Sequence, residues 1–347
     1  MLAAEAPFPQ IPTMARDDQF ESKRQDAAAP AGGYAQPMIR SLMNRSDWLT
    51  LLVLAVIWGG AFMFIGVAVR HVAPLTYVWL RLTIAAVAML LFLKVKRQPL
   101  GLPPEVWGSM LLLALLNNAV PFTLFGWGQT HIASGLASIL NATTPIWGVV
   151  VAHLFTQDER MTPRKISGVL LGFAGVATMI GPTLLTNIGT DGLAQLACIA
   201  ASLSYALAAV WARRYKPLGL SPLSVTTGQL TAGALMMLPV MLLVDQPWTK
   251  AMPPIEAWGS IVALALFCSA LGYVLYFRLI DSAGATNALL VTLLVPPIAI
   301  FLGALLLGET LAPQDSLGLA LIALGLAAID GRLLSLWRER RRLRPAT

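Results

Sequence analysis

A twenty-residue apolar stretch occurs twice in this chain, and that repetition constrains the fold more than any other feature. Residues 105–124 read EVWGSMLLLALLNNAVPFTL; 151 positions later, residues 256–275 read EAWGSIVALALFCSALGYVL, with nine of the twenty positions identical. Each copy follows a double proline, Pro103-Pro104 or Pro253-Pro254. Downstream, Glu159, Pro163, Gly168 and Gly175 recur 150 positions on as Glu309, Pro313, Gly318 and Gly325. Self-similarity at so long a period marks a chain built from two copies of one unit.

The solvent for those units follows from charge. Soluble domains carry about 25% charged residues, whereas this chain carries 12%, with 57% hydrophobic residues. It has too little polar surface to cover itself in water. A helix needs roughly 17 to 25 apolar residues to cross the hydrocarbon core, and ten stretches meet that length. They run over residues 48–69, 75–93, 106–126, 132–155, 166–182, 192–212, 221–244, 257–278, 285–307 and 315–334. The expectation is an all-α integral membrane protein with ten transmembrane helices, five in each repeat. The first repeat covers residues 46–183 and the second 190–334, between a disordered cytoplasmic tail (1–45) and a basic cytoplasmic tail (335–347). The tail expectation at 1–45 rests on PFPQIP, a mixed-charge run from Arg16 to Asp26 and AAAPAGG, which hold few large apolar residues. Cys198 and Cys268 both fall inside spans and read as packing residues.

Lys and Arg are retained on the cytoplasmic side of a membrane. An N-terminus inside places 21 of the 24 Lys and Arg in cytoplasmic segments, leaving Arg70 and Lys250 outside and Arg81 within a span. Both termini are therefore expected in the cytoplasm, and the net charge of +7 is an orientation signal that requires no nucleic acid. Five crossings per unit is an odd number, so the second unit enters the bilayer from the opposite side. Inverted repeats of this kind build many alternating-access carriers.

Several segments then point to a family. WGGAFMFIGVAV in the first helix, PLTYVWLRLTIAA in the second, ASGLASILNATTPIWGVVVA in the fourth, and DERMTP or GETLAP after the fourth and ninth resemble the EamA-type carriers of the drug/metabolite transporter superfamily. The resemblance covers about residues 48–333. It implies an exporter or facilitator of small metabolites, commonly amino acids or related compounds, in a bacterial inner (plasma) membrane, and it names no substrate.

Candidate binding residues are polar or aromatic groups at membrane depth. Trp58, beside Gly59 and Gly60, reads as an aromatic wall with thin backbone next to it or as tight helix packing; Phe62, one turn on, shares its face. Arg81 lies about six residues, roughly 9 Å, below the outer end of the second helix. It either holds a substrate carboxylate or bonds carbonyls at helix ends; its repeat counterpart is Gln229. Asn117 and Asn118 sit at the centre of the third helix, projecting about 100° apart, so one faces a cavity while the other bonds a neighbouring helix. Ser134, Ser138 and Asn141 form a polar stripe on the fourth helix, and Asn287, Thr292 and Pro296-Pro297 are its counterpart on the ninth. Tyr205 and Tyr273 offer rings and hydroxyls, whereas Tyr276, near a helix end, reads as an interfacial anchor. Pro121, Pro145, Pro296 and Pro297 free backbone carbonyls and supply bends. The glycines of the fifth and tenth helices read as scaffold or homodimer contacts.

These readings assemble into a secondary carrier with no cofactor and no catalytic residues, whose partners are membrane lipid and a small-molecule substrate. Its site lies between the first, third and fourth helices and the sixth, eighth and ninth. Trp58, Phe62, Tyr205 and Tyr273 give stacking surface, and Asn118, Asn141 and Asn287 give hydrogen bonds. The sequence holds no ATP-binding loop, no metal-ligand cluster and no nucleophilic triad. No carboxylate falls deep in a span, which favours facilitated diffusion over proton-coupled drug or metabolite antiport, the alternative mechanism.

Overall fold

A computed structural model describes residues 43–156, 161–180, 190–283, 288 and 290–330. Asn287 and both tails beyond these limits lie outside the described residues. All regular structure among the described residues is helical: short 3-10 turns, one of them at Pro247–Thr249, and ten successive rods. We number them α1 (Arg45–Val69), α2 (Pro74–Val95), α3 (Pro104–Gly128), α4 (Ser134–Phe155), α5 (Pro163–Ile180), α6 (Thr190–Ala212), α7 (Pro222–Val244), α8 (Ile255–Ala283), α9 (Val291–Leu307) and α10 (Pro313–Asp330). They coincide one for one with the ten apolar stretches. Seven are long and apolar enough to cross a bilayer, and α5, α9 and α10 contain shorter apolar runs. Outward-facing positions are apolar as well: Leu91, Val95, Leu170, Leu235, Leu243, Phe301 and Leu305 are all exposed. Such a belt is compatible with lipid and not with water.

Local chemistry sets the helix starts. Asn44 Oδ1 accepts from Asp47 N at 2.8 Å while Asp47 Oδ2 accepts from Asn44 N at 3.0 Å, a reciprocal cap on α1. Ser221 caps α7 through Ser224 N at 3.0 Å, with Pro222 in the first turn. At the end of α9, Gly308 takes φ +67°, the left-handed conformation that closes a helix, and Glu309 N reaches back to Gly303 O at 3.1 Å.

Threading follows from which ends meet. Asp245, ending α7, accepts from Thr76 N (2.7 Å) and Thr76 Oγ1 (2.8 Å) at the start of α2. Glu309, following α9, meets Ser134 at the start of α4. On the other face, Ser109 early in α3 bonds Tyr215 Oη after α6 at 2.6 Å, and Ser282 near the end of α8 donates to Asp47 Oδ1 in α1 at 2.8 Å. Strict alternation of ten crossings puts each of these pairs on a common face. Each half crosses five times, so the halves are inverted.

The α5–α10 seam carries the same symmetry. A Cβ on Gly168 would lie 2.6 Å from Gly325 O, and one on Gly175 would lie 2.7 Å from Gly318 O. Under the repeat Gly168 corresponds to Gly318 and Gly325 to Gly175, so each contact maps onto the other, as a two-fold relation requires. The small-residue faces read as scaffold or dimer contacts thus pack against each other inside the chain, where only hydrogen leaves room for touching backbones.

Candidate functional site

The duplicated stretch is also where the helices depart from α geometry. In α3, Leu115–Ala119 winds as a π turn, and in α8, Leu264–Leu271 does the same. These are corresponding parts of the two repeats. The wider turn interrupts the i→i+4 ladder, and each interruption is met by a side chain from the first helix of the other half. Trp58 Nε1 of α1 donates to Cys268 O at 3.1 Å, and Ser204 Oγ of α6 donates to Leu116 O at 2.7 Å. Pro121 opens the α-helical segment just after the first π turn. The second copy has Gly272 at that position and still forms the turn, so proline is not the general cause.

A polar group reaches each π turn from the neighbouring helix of the other half. Arg81 of α2 donates through Nε to Ser269 Oγ in α8 at 3.0 Å. Asn117 Nδ2 in α3 donates to Gln229 Oε1 of α7 at 3.0 Å and to Tyr273 Oη of α8 at 3.2 Å. Arg81 and Gln229 occupy matching places in the two halves, and so do Asn118 and Ser269. The guanidinium stacks on Phe122, 3.8 Å from the ring centroid. The Tyr77 hydroxyl adjoins it and donates to Phe122 O at 2.6 Å. Burying a lone cation at this depth costs several kcal/mol unless charge or water compensates.

Aromatic rings join two of the three apolar core clusters beside this polar group. Phe62 packs edge-on against Phe125 with centroids 5.6 Å apart, and Phe125 stacks on Tyr205 at 6.2 Å. Trp58 lies against Tyr276 at 5.3 Å. Trp58 and Tyr205 each border both clusters. Tyr273 Oη accepts from Asn117 of the first π turn, and Tyr205 follows Ser204, which bonds that turn. Trp58, Phe62, Arg81, Tyr205 and Tyr273 therefore converge around the π turns, with Asn118 on the α3 turn itself.

Other expected residues are placed differently. Asn118 is fully buried and neither of its side-chain polar atoms has a partner, while Asn117 makes the bonds across the interior. Asn141 is half-buried and stays within its own turn, where Thr144 Oγ1 donates to Asn141 O at 2.7 Å. Ser134 and Ser138 of that stripe bond Glu309 and Gly135 O. They are structural groups. α4 breaks after Asn141 and resumes at Thr144 with Pro145 in its first turn. Pro296 and Pro297 lie inside a helix that continues to Leu307. Tyr276, read from sequence as an interfacial anchor, instead faces Trp58 in the core. Tyr77 was not singled out from sequence, and of the adjacent asparagines it is Asn117, rather than the expected Asn118, that bonds Gln229 and Tyr273. Ser269 is a hydroxyl inside an apolar span and aligns with Asn118 across the repeat.

A Cβ at Gly272 would stand 2.6 Å from Trp58 Nε1, so Gly272→Ala should cost about 1–3 kcal/mol by overpacking. In a Trp58→Phe background, which removes that nitrogen, the same substitution should cost less. Thermal unfolding of the two single variants and the double variant measures the coupling; strict additivity would mean the contact is not felt.

Comparison with known proteins adds an independent observation. The family described as EamA-like transporter family matches twice, at residues 47–181 and 192–329. The uncharacterized transporter YoaV of Bacillus subtilis is 29% identical over 284 residues, spanning 80% of this chain and 94% of that protein. A Streptantibioticus cattleyicolor protein named "Probable terminal-alkyne amino-acid exporter" is 28% identical over 302 residues, 86% of this chain and 97% of its own. The uncharacterized inner membrane transporter YedA of Escherichia coli K12 is 25% identical over 288 residues, covering 80% and 89%. A crystal structure with 18% sequence identity superposes with a TM-score of 0.59, covering 83% of this chain and 98% of that one, a likeness of fold.

Proposed function

This chain belongs to the EamA-like transporter family, and from that premise we propose that it is a secondary carrier of small amphipathic, amino-acid-like metabolites. The observation that carries the reading is that each π turn is engaged by polar and aromatic side chains of the other half: Trp58 and Arg81 at the second turn, and Ser204 and Gln229 at the first. Apolar rings with a few oriented polar groups are what a small amphipathic ligand needs. Trp58, Phe62, Tyr205 and Tyr273 form the stacking surface in this proposal, and Asn118 gains partners on the ligand that it lacks in the protein. Asn141 extends the site along α4, and Asn287, which lies outside the described residues, keeps its assignment from sequence alone. The name of the S. cattleyicolor relative supports the amino-acid class.

Alternating access would come from the two five-helix halves rocking about the site, with the turns near Pro121, Pro145, Pro296 and Pro297 absorbing the bends. Placing the N-terminus inside keeps both termini cytoplasmic, and the YedA relative supports an inner-membrane setting. Among the described residues the buried carboxylates Asp47 and Asp315 accept from backbone N–H groups at helix starts. This arrangement supports movement down a substrate gradient.

Protein reconstituted in liposomes should exchange labelled amino acids without nucleotide, and Trp58→Ala should reduce the rate at least about tenfold, equivalent to about 1.4 kcal/mol of lost site stabilisation. A strict ATP requirement would overturn the carrier reading. Uptake that proceeds only with an imposed pH gradient would instead assign proton-coupled antiport.

A further inference from the structure

Arg81 is only 6% exposed and sits in the membrane-spanning part of α2. A guanidinium presents five N–H donors. One is held by Ser269 Oγ. Among the described residues no carboxylate forms an ion pair with it and no backbone carbonyl accepts from it; its hydrogen bond runs to Ser269 Oγ. The fork is therefore fixed at its root by Ser269, flanked on one face by Phe122, and keeps donors and charge that the protein does not satisfy. The matching position in the other half is the neutral Gln229, whose Oε1 is engaged by Asn117. Positive charge thus exists on one side of the pseudo-two-fold and has no counterpart on the other.

Resting on the carrier reading above, we infer that Arg81 is the receptor for a carboxylate on the transported molecule, and that the site selects acids and zwitterions over cations. A planar, fixed guanidinium matches a carboxylate through two parallel hydrogen bonds. The substrate carboxylate then supplies the counter-charge to the guanidinium. A cation, or an ester without the carboxylate, would leave Arg81 unpaired and meet it as a like charge. Tyr273 accepts from Asn117 and keeps its own hydroxyl hydrogen free to donate.

The test uses the full-length protein in detergent with three probes: L-phenylalanine, N-acetyl-L-phenylalanine and L-phenylalanine methyl ester. Both acids should raise the unfolding midpoint and the ester should not, since only a ligand of the folded form stabilises it. Arg81→Gln, which installs the side chain of the matching position, should weaken acid binding at least about tenfold. The assignment is overturned if the ester stabilises as well as the acids, if neither acid stabilises the wild type, or if Arg81→Gln keeps full acid affinity. Should Arg81→Gln not fold, Arg81→Lys decides. Weaker acid binding with the ester still excluded supports the inference; undiminished acid affinity or ester binding overturns it. Flux separates the two levels of the argument. Liposomes that carry the ester as fast as the acid keep the carrier reading and remove this one, whereas Arg81-dependent acid binding without any flux does the reverse.

Discussion

Gly168→Val is expected to lower the thermal unfolding midpoint of the solubilised protein by about 10 °C, or to prevent folding. Even a methyl at Gly168 would stand 2.6 Å from Gly325 O and from Ile329 Cγ1, and 3.0 Å from Ile329 N. Two of those three atoms are backbone, which cannot rotate away as a side-chain tip can. Separating α5 from α10 is then the one escape, and it opens the contact along the whole seam, including Gly175 against Gly318 O. Overpacking of a core costs about 1–3 kcal/mol, and valine at a backbone-to-backbone contact belongs at or above the top of that range. At about 2–4 °C per kcal/mol for a chain of 150–250 residues, this yields the stated shift. Gly108→Ala and Gly259→Ala are matched controls at equivalent positions of the two repeats, each with nothing within 4 Å of the added atom. They should be neutral or stabilising by up to about 1 kcal/mol, the helix-propensity difference. A Gly168→Val midpoint within error of these controls would show that the seam yields freely.

The second large effect belongs to Glu309. Its carboxylate accepts from Ser134 N at 2.9 Å, Ser134 Oγ at 2.7 Å and Gly135 N at 3.1 Å. It therefore caps the first turn of α4 from a residue 175 positions away. Negative charge at a helix start interacts favourably with the exposed N–H groups there, and hydrogen bonds to a charged group contribute about 1.5–3 kcal/mol. Glu309→Ala removes all three acceptor contacts and should destabilise by about 2–3 kcal/mol, read as a lower unfolding midpoint. Glu309→Gln keeps one acceptor oxygen and should lose about half as much. The bond set also ties the start of α4 to the end of α9 on one face of the bundle, so opening that face has to break it. Glu309→Ala is accordingly expected to raise the rate at which a cysteine-free variant carrying a single cysteine at Leu136 reacts with a membrane-impermeant maleimide. An unchanged midpoint together with unchanged labelling would remove the latch from both stability and gating.

Much of the architecture could be read directly from residue order. The ten apolar runs became ten helices because a helix satisfies its backbone internally, and no other open structure does so in lipid. Inversion of the halves required only that five is odd. The polar content of the interior was also legible as a set: Arg81, the adjacent asparagines, Gln229 and the tyrosines stand out against apolar surroundings. Their partners were not. Asn117 and Asn118 are neighbours in the chain, and helix rotation against α7 and α8 decided that the first bonds Gln229 and Tyr273 while the second is buried without a partner. Tyr276 looked peripheral from its place near a helix end until α1 brought Trp58 against it.

The π turns show where sequence information ended. A proline at position 121 suggested a bend in α3, yet α8 makes the same departure with Gly272, and each turn coincides with a donor arriving from the opposite half. Residue order by itself determined what is local and additive: hydrophobic length, charge bias, caps and the existence of two copies. Tertiary structure alone decided which carbonyl meets Trp58, which hydroxyl holds Arg81 and which glycines touch, because each depends on the rotation and depth of two helices far apart in the chain.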